Sequence, residues 1–324
     1  MTSYAPASGR ISHLGILRFT GPDALSFLQG QISNDTNRLT DRSPLFAAYS
    51  SPQGRVLALI YLLPHSSGIA AIVPRELLSP TLERLKKFVL RAKVKIEDAG
   101  DDLVVAGYYG EAALRQHGLP IPDAPGRYVE HNGIGVAAVG AEQRYWVIGP
   151  ASDPALAARQ PGNGGGAAAA TAATATAATA ATAAAQIERD WRLADIHAGL
   201  PQVYSSTSET FVAQMLNLDL LDGISFTKGC YTGQEIIART QHLGRIKRRL
   251  FRLALPSGDW QVGQALQLTD GRQGRIVEVI ATGPAAAEAL AVLNLEPGAD
   301  SEAPPSSAVS ATVLPLPYPL APGT

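Results

Sequence analysis

One cysteine carries the most reactive chemistry in this chain, and it stands in the stretch ISFTKGCYTGQEII. Cys230 is the only cysteine among 324 residues, with Lys228 two positions before it and Gly229 and Gly233 on either side. A thiolate is stabilised by a nearby cation and by a helix N-terminus, and QEIIARTQ predicts a helix directly afterwards. The pattern predicts a partly exposed, reactive thiol. The alternative is a small buried apolar residue, which leaves the two glycines unexplained.

Glu235 in the same stretch has two interpretations. Thr232 and Glu235 stand three positions apart, as a capping box at a helix start requires. Glu235 is then either a capping residue or a residue of a functional site. No Lys-Ser or Lys-Thr pair follows the second glycine, so the stretch is not a phosphate-binding P-loop.

Composition limits the chemistry and the location that we expect. One cysteine excludes an intrachain disulfide and a zinc site built from thiolates, and the chain cannot hold an iron–sulfur cluster with its own cysteines alone. A net charge of −1 gives no overall attraction to nucleic acid. The N-terminus lacks the apolar core of a signal peptide, and the longest apolar run, VLALIYLL, is too short to span a bilayer. We expect a soluble, cytoplasmic protein with no membrane partner and no metal site of its own.

The length of the chain suggests two or three domains, with one seam between them. Residues 162–185 are almost entirely glycine, alanine and threonine, and without an apolar stripe they favour a linker or surface insertion over an ordered helix. The predicted boundaries are therefore 1–161, 162–185, 186–245 and 246–324.

Apolar periodicity on both sides of the seam predicts an α+β protein. Thr20 is predicted to cap a helix, with Asp23 three residues on, and a hairpin is predicted to turn at Pro52–Gly54. ERLKKFVLRAK is amphipathic and predicts a helix, and QIERDWRLADIHAG after the seam is predicted to form another. The last eighty residues contain short strands separated by glycine-containing turns, which predict a small β-barrel.

Several strings together resemble one known family. They are KGCYTGQEIIAR, AGLPQVYSSTSETFVAQMLNLDLLDGISF, FLQGQISNDT, LKKFVLRAKVKI and LPLPYPL, which are distributed over nearly the whole chain except the Ala/Thr-rich segment. The sequence is similar to the YgfZ family of folate-binding proteins, which are related to the glycine-cleavage T-protein, an aminomethyltransferase. Such proteins support iron–sulfur cluster assembly or repair and, through it, tRNA methylthiolation.

This resemblance implies a ring of three small domains around a central tetrahydrofolate site, with 1–161 and 186–245 forming the folate-binding region. It places an aromatic ligand contact at Trp191. An indole face stacks on a flat pterin for roughly 1 kcal/mol, although Trp191 could instead be helix core. Asp35 is either a turn residue or part of the pocket. The resemblance also implies these cofactor-binding residues: Lys228, Gly229, Tyr231, Gln234, Glu235 and Arg239.

The sequence departs from the T-protein pattern at three places. Ala58 and Leu59 stand where the T-protein has a pair of aspartates, and neither side chain can exchange a proton. His197 replaces an acidic residue of some relatives, and Leu14 stands where an aromatic contact can occur. The missing carboxylates at 58 and 59 argue against aminomethyl transfer.

A dense basic run extends from Arg239 to Arg252. It is either a solvated strand face or a rim that attracts folate carboxylates or RNA phosphates. Two functions stay open. The first is a folate-binding accessory protein whose partners are iron–sulfur enzymes or assembly proteins, with Cys230 in a redox role or in transient contact with a cluster. The alternative is a tetrahydrofolate-dependent one-carbon transferase. Direct tRNA binding is left open.

Overall fold

The computed structural model describes residues 7–140, 143–156, 173–242, 244–297 and 308–320. The described strands are β1 (Ala7–Arg10), β2 (Leu14–Thr20), β3 (Leu45–Ser50), β4 (Val56–His65), β5 (Gly68–Pro74), β6 (Lys95–Asp98), β7 (Val104–Tyr109), β8 (Tyr128–His131), β9 (Ile134–Ala138), β10 (Arg144–Gly149), β11 (Arg248–Pro256), β12 (Ala265–Gln267), β13 (Gln273–Gly283), β14 (Ala286–Asn294) and β15 (Thr312–Leu314). The described helices are α1 (Ala24–Gln29), α2 (Leu78–Lys86), α3 (Glu111–Gln116), α4 (Ala173–Ala198) and α5 (Gln234–His242).

The described strands form three antiparallel sheets of five strands each. The first sheet has the order β3-β4-β5-β2-β6 and the second has the order β1-β7-β10-β9-β8. The third has the order β12-β13-β14-β11-β15. Helix α4 contacts β1 and β7 of the second sheet and β13 and β14 of the third, so it joins two of the sheets. The predicted mixture of helices with antiparallel sheets is confirmed.

The predicted hairpin is present, because its turn is set by local chemistry. β3 and β4 pair in antiparallel register, and the backbone N–H of Ser51 donates to the carbonyl of Arg55 at 2.8 Å. Gly54 closes the turn with φ +71°. This conformation favours glycine, which has no Cβ to clash with the backbone. The turn therefore sets the antiparallel pairing of β4 with β3.

Two predicted helix starts are wrong. Thr20 is the last residue of β2, and α1 begins only at Ala24. The carboxylate of Asp23 accepts a bond at 2.6 Å from the backbone N–H of Lys93, a residue of a distant loop, and makes no bond to the helix start. The helix predicted for ERLKKFVLRAK begins earlier, at Leu78, and ends at Lys86.

The Ala/Thr-rich segment differs from the prediction over its second half. Helix α4 begins at Ala173, so residues 173–185 are helical and continuous with the predicted helix that follows. Alanine has the highest helix propensity, and the downstream turns supply the nucleus that an isolated segment lacks. Residues 162–172 of the predicted linker lie outside the described residues.

The third sheet contains the strands that were predicted to form a barrel. It is an open sheet of five strands with β12 and β15 at its edges, so closure into a barrel stays a prediction. A parallel bridge joins Leu268, just after β12, to Val309, just before β15. None of the helices in the described ranges is long and apolar enough to cross a membrane.

Candidate ligand-binding site

A cavity lies where the first sheet, the second sheet, α4 and the third sheet meet. Its walls include Leu59 and Tyr61 of β4, Trp146 of β10, Asp195 of α4 and Glu278 of β13. The alternation of β4 turns Leu59 and Tyr61 to the same face of the first sheet. The cavity therefore depends on four elements that are far apart in the sequence.

One wall of the cavity is aromatic. The rings of Tyr61 and Trp146 meet edge to face, with centroids 4.7 Å apart and an interplanar angle of 85°. Burial raises the pKa of the Tyr61 hydroxyl to about 12, so it remains a hydrogen-bond donor at neutral pH. The indole Nε1 of Trp146 is buried and has no hydrogen-bond partner in the described part of the chain. Buried donors are rarely left unpaired, so this wall fits a flat ligand that carries an acceptor.

Asp195 supplies one carboxylate to the cavity. Its Oδ1 accepts a bond from Nη1 of the buried Arg144 at 2.7 Å. Burial raises the pKa of the Asp195 carboxyl above its ordinary value, and the guanidinium of Arg144 opposes this shift. Arg144 also lies over the ring of Trp191, 5.0 Å from the centroid. The carboxylate is thus held in one orientation by a fixed cation.

Glu278 supplies a second carboxylate from the third sheet. It is paired with Arg192 and accepts a hydrogen bond from the hydroxyl of Tyr204. A β-bulge between Ile276 and Glu278 shifts the register of β13, and the side chain is almost entirely buried. The nearby carboxylate of Glu278 acts to raise the pKa of Arg192 against the opposing effect of burial, and burial raises the pKa of the Tyr204 hydroxyl. Arg192, Tyr204 and the backbone N–H of Val279 together donate four bonds to this carboxylate, so Glu278 fixes Arg192 and Tyr204 at the cavity wall.

Trp191 lies behind this cavity. Its side chain is fully buried and its indole stacks on that of Trp146, with centroids 6.2 Å apart and 24° between the planes. It also packs against Gly107, where an added Cβ would come within 2.5 Å of the Trp191 ring. The predicted ligand contact of Trp191 stays a prediction, and in this structure the tryptophan that lines the cavity is Trp146.

The Lys228 side chain points to the loop after α1. Its ammonium donates to three backbone carbonyls, those of Gln29 at 2.6 Å, Ile32 at 2.8 Å and Asn34 at 2.9 Å. The ammonium also lies 4.7 Å from the centroid of the Tyr231 ring. Burial lowers the pKa of Lys228 to about 8. These contacts give Lys228 a structural role, and its predicted roles in folate binding and thiolate stabilisation stay predictions.

Cys230 is exposed, as its predicted reactivity requires. A Cβ added to Gly229 would meet no atom within 4 Å, so the chain is open on that side of the thiol. Gly233 has a different reason to be glycine: its φ is +83°, and a Cβ there would lie 2.6 Å from the carbonyl oxygen of Ser51. Helix α5 begins at Gln234, so Thr232 stands two residues before it, which does not favour the capping interpretation of Thr232 and Glu235.

The remaining predicted site residues lie around this motif. Tyr231 is buried, Gln234 is half-buried, and Glu235 and Arg239 are exposed on α5. Asp35 caps the 3₁₀ helix Thr36–Arg38, where its carboxylate accepts bonds from Asn37 and Gln29, and the backbone bond from Asn37 is the main cause of its lowered pKa. The walls of the central cavity as described include none of these residues.

Comparison with known proteins identifies the family of the chain. No family model matches it. It is 30% identical over 323 residues to the tRNA-modifying protein YgfZ of Yersinia pestis (strain Pestoides F), which covers 94% of this chain and 90% of the relative. It is 33% identical over 262 residues to the protein of that name from Klebsiella pneumoniae (strain 342), covering 79% and 74%. The chain belongs to the YgfZ family.

A solved structure agrees with the fold expected for a YgfZ protein. The glycine cleavage system aminomethyltransferase T from Bartonella henselae matches with a TM-score of 0.55 and 13% sequence identity, over 91% of this chain and 80% of that one. At this identity the likeness shows the fold alone. The predicted relation to the T-protein fold is confirmed.

Three residues at the cavity surface of this YgfZ protein were missed from the sequence. Trp146 stands in the strand string YWVIG, Asp195 stands among apolar residues of α4, and Glu278 interrupts the apolar strand string GRIVEVIAT. A charged residue within an apolar strand was the available signal for Glu278. The T-protein position of Ala58 and Leu59 is buried, and Leu59 lines the cavity together with Leu14. His197 is not part of the described lining, and its Nε2 lies 3.3 Å from Glu288.

Proposed function

We propose that this YgfZ protein is a cytoplasmic, tetrahydrofolate-binding accessory protein that supports iron–sulfur enzymes and, through them, tRNA modification. The observation that carries the proposal is the unpaired indole N–H of Trp146, within the described part of the chain, in a cavity that also contains two fixed carboxylates. The relatives from Yersinia pestis and Klebsiella pneumoniae are named as tRNA-modifying proteins.

The cavity residues fit a reduced pterin in two ways. A pterin is flat and apolar on its faces, which suits the edge-to-face pair of Tyr61 and Trp146. Its 2-amino group and ring N–H groups are donors, and the Asp195 carboxylate, which accepts one bond from Arg144, is the acceptor that faces them. The pterin carbonyl would accept the bond that Trp146 Nε1 lacks. When bound, the folate supplies one-carbon chemistry at its N5 and N10 nitrogens.

Cys230 is proposed to act on a partner and not on the folate. Its thiol is exposed on the KGCYTGQE motif, whereas the cavity walls are made by other residues. One thiolate cannot hold an iron–sulfur cluster, so it acts with a second thiol, an iron site on a client enzyme or an oxidant. The open space beside Gly229 leaves room for such a partner.

The C-terminal sheet is proposed to form the small barrel of a three-domain ring. The bridge between Leu268 and Val309 joins the β12 edge to the chain that leads into β15, and β15 already pairs with β11. In such a barrel, the β12 edge of the third sheet would not remain an unpaired strand edge.

A second candidate function has one observation in its favour. One-carbon transfer requires a group that exchanges a proton with the folate, and Ala58 and Leu59 cannot do so. Asp195 lines the cavity and has a carboxyl that can exchange a proton, and burial raises the pKa of that carboxyl above its ordinary value. Its ion pair with Arg144 opposes that role, which is why we favour the accessory function.

The proposed function is tested by anaerobic calorimetric titration with tetrahydrofolate. We expect saturable binding to the natural protein, and about tenfold weaker binding to Trp146→Leu, because stacking and a hydrogen bond are lost. Trp260→Phe is the matched control, since Trp260 lies in the third sheet region and bonds the carbonyl of Pro256. Lack of binding by the natural protein contradicts the proposal. Turnover of an aminomethyl donor, lost in Asp195→Asn, would favour the transferase instead.

A further inference from the structure

A second cavity lies where the turn before β4 meets the third sheet, and three arginines line it. Arg55 comes from the hairpin turn, Arg248 from β11 and Arg275 from β13. Glu209 is the one carboxylate in the described lining, and its Oε1 lies 3.9 Å from Arg84. The lining therefore carries more positive than negative charge.

Each of these guanidinium groups is fixed by a bond to a neutral acceptor. Nη1 of Arg55 donates to the carbonyl of Thr210 at 2.8 Å, and Nη1 of Arg275 donates to the carbonyl of Gly263 at 2.5 Å. Nε of Arg248 donates to the side-chain oxygen of Asn294 at 2.8 Å.

Two of the three arginines keep their charge available. In the described part of the chain, neither Arg55 nor Arg275 pairs with a carboxylate. A guanidinium has five N–H donors, so one bond to a carbonyl leaves most of its donors and its whole charge for a ligand.

The two cavities share β13, and the segment formed by β4 and the turn before it contributes to each. Arg55 stands in that turn, and a bulge in the β3–β4 register separates it from Leu59 and Tyr61. On β13, the bulge before Glu278 places its side chain on the same face of the third sheet as that of Arg275. Arg275 pairs with Val292 and Glu278 pairs with Leu290, and these partners are two residues apart on β14.

The distance between the cavities follows from strand geometry. Because each strand has a bulge, the partners of Val56 and Leu59 are two residues apart, and so are the partners of Arg275 and Glu278. At about 3.3 Å per residue, the separations along the strands are roughly 10 Å from Arg55 to Leu59 and roughly 7 Å from Arg275 to Glu278. An aminobenzoyl ring with an amide-linked glutamate has a comparable reach. A ligand with its pterin ring in the central cavity would therefore bring its terminal carboxylates to the arginines.

We propose that the three-arginine cavity is an oxyanion site that binds the carboxylates of a folate tail. This inference rests on the proposed function for the source of the oxyanion. Guanidinium groups pair in a fork-like geometry with both carboxylate and phosphate, so the oxyanion chemistry is the same for either source. A free phosphate compound is the other source, and the experiment separates the two.

The test uses four ligands and one double variant of the full chain. Tetrahydrofolate triglutamate, tetrahydrofolate monoglutamate, tail-free 6-methyltetrahydropterin and pyrophosphate are titrated by calorimetry into the natural protein and into Arg55→Gln/Arg275→Gln. Arg115→Gln is the control, because Arg115 is an exposed arginine of α3 that pairs with Glu111. We expect the double variant to bind the triglutamate about tenfold more weakly, with unchanged binding of the tail-free pterin.

The other outcomes each decide a different point. If pyrophosphate binding is lost in the double variant while folate binding is unchanged, the oxyanion site stands and its source is a free phosphate. If no folate or pterin binds the natural protein but pyrophosphate binding still requires the arginines, the proposed function fails and this inference survives. If neither anion depends on the arginines, the inference is overturned. If the double variant binds all four ligands more weakly, the single variants Arg275→Gln and Arg275→Lys are titrated next. An equal loss of tail-free pterin binding in both single variants also overturns the inference.

Discussion

The indoles of Trp146 and Trp191 stack with their centroids 6.2 Å apart, and of these two only Trp146 lines the central cavity as described. The two tryptophans therefore have different tasks, although they belong to one aromatic cluster. Trp191 fills the space behind the cavity, and Trp146 forms its surface.

Replacing Trp191 with alanine is expected to lower the free energy of unfolding by about 3–5 kcal/mol, because the side chain is fully buried and leaves a large void. Urea denaturation followed by circular dichroism measures this change. Trp260→Ala serves as the comparison and should cost less, since Trp260 is only half-buried. An unchanged midpoint for the Trp191 variant, together with lost ligand binding, would show that Trp191 is a contact residue and not core.

Replacing Lys228 with methionine is expected to destabilise the protein by about 3 kcal/mol, because three buried acceptors lose their donor. The ammonium bonds the carbonyls of Gln29, Ile32 and Asn34, and methionine cannot replace it. Lys87→Met is the control, because Lys87 is exposed at the end of α2. Thermal melting compares the two variants, and equal melting temperatures would mean that the three bonds contribute nothing measurable.

Cys230 is expected to react with iodoacetamide in the native protein at neutral pH, because it is exposed. Intact-mass spectrometry reads the result directly, since the chain has no other thiol. Cys230→Ser should leave stability within about 0.5 kcal/mol of the natural protein and should fail to support iron–sulfur enzyme activity in cells that lack the native protein. Labelling that requires denaturant, with full complementation by the serine variant, would identify the cysteine as a packing residue.

Glu188 is expected to make stability fall in acid. Hydrogen bonding from His13 is the main reason that the pKa of Glu188 is lowered from its ordinary 4.5 to about 2, and Ser12 adds a backbone bond at 3.1 Å. A carboxyl with a lowered folded pKa stabilises the fold above its unfolded pKa. Glu188 therefore loses its contribution as pH falls from about 4.5 toward 2.

Urea denaturation between about pH 6 and pH 2.5 measures the effect. The natural protein should lose about 2 kcal/mol more than Glu188→Gln over this range, after allowance for the partial exposure of the pair. Glu83→Gln, a change at an exposed residue of α2, should behave like the natural protein. Parallel curves for the natural protein and the Glu188 variant would mean that the His13 contact adds no stability.

Local patterns predicted the hairpin and most strands, because alternation and a glycine turn act over a few residues. The Thr20 cap failed because Gly21 has φ +108° and the carboxylate of Asp23 is used by Lys93, a residue 70 positions away. A partner 70 positions away cannot be predicted from the residues next to Thr20 and Asp23.

The candidate site was predictable only in part for the same reason. The exposure of Cys230 followed from its local surroundings, whereas the partners of Lys228 lie 194–199 residues earlier. Asp195 and Glu278 meet only because α4 crosses the second and third sheets and because a bulge shifts β13. Neither event can be read from the residues next to these carboxylates.

The first sheet is completed by segments that are synthesised long after its own strands. The N–H of Val56 bonds the carbonyl of Phe211 at 2.8 Å, and the N–H of Ser225 bonds the carbonyl of Ser33 at 2.9 Å. Ribosomes add roughly 5–20 residues per second, so the apolar strand β4 emerges on the order of ten seconds before the segment that covers it. During that interval the nascent chain presents an uncovered apolar surface, which is open to association with other nascent chains until residue 211 has been added.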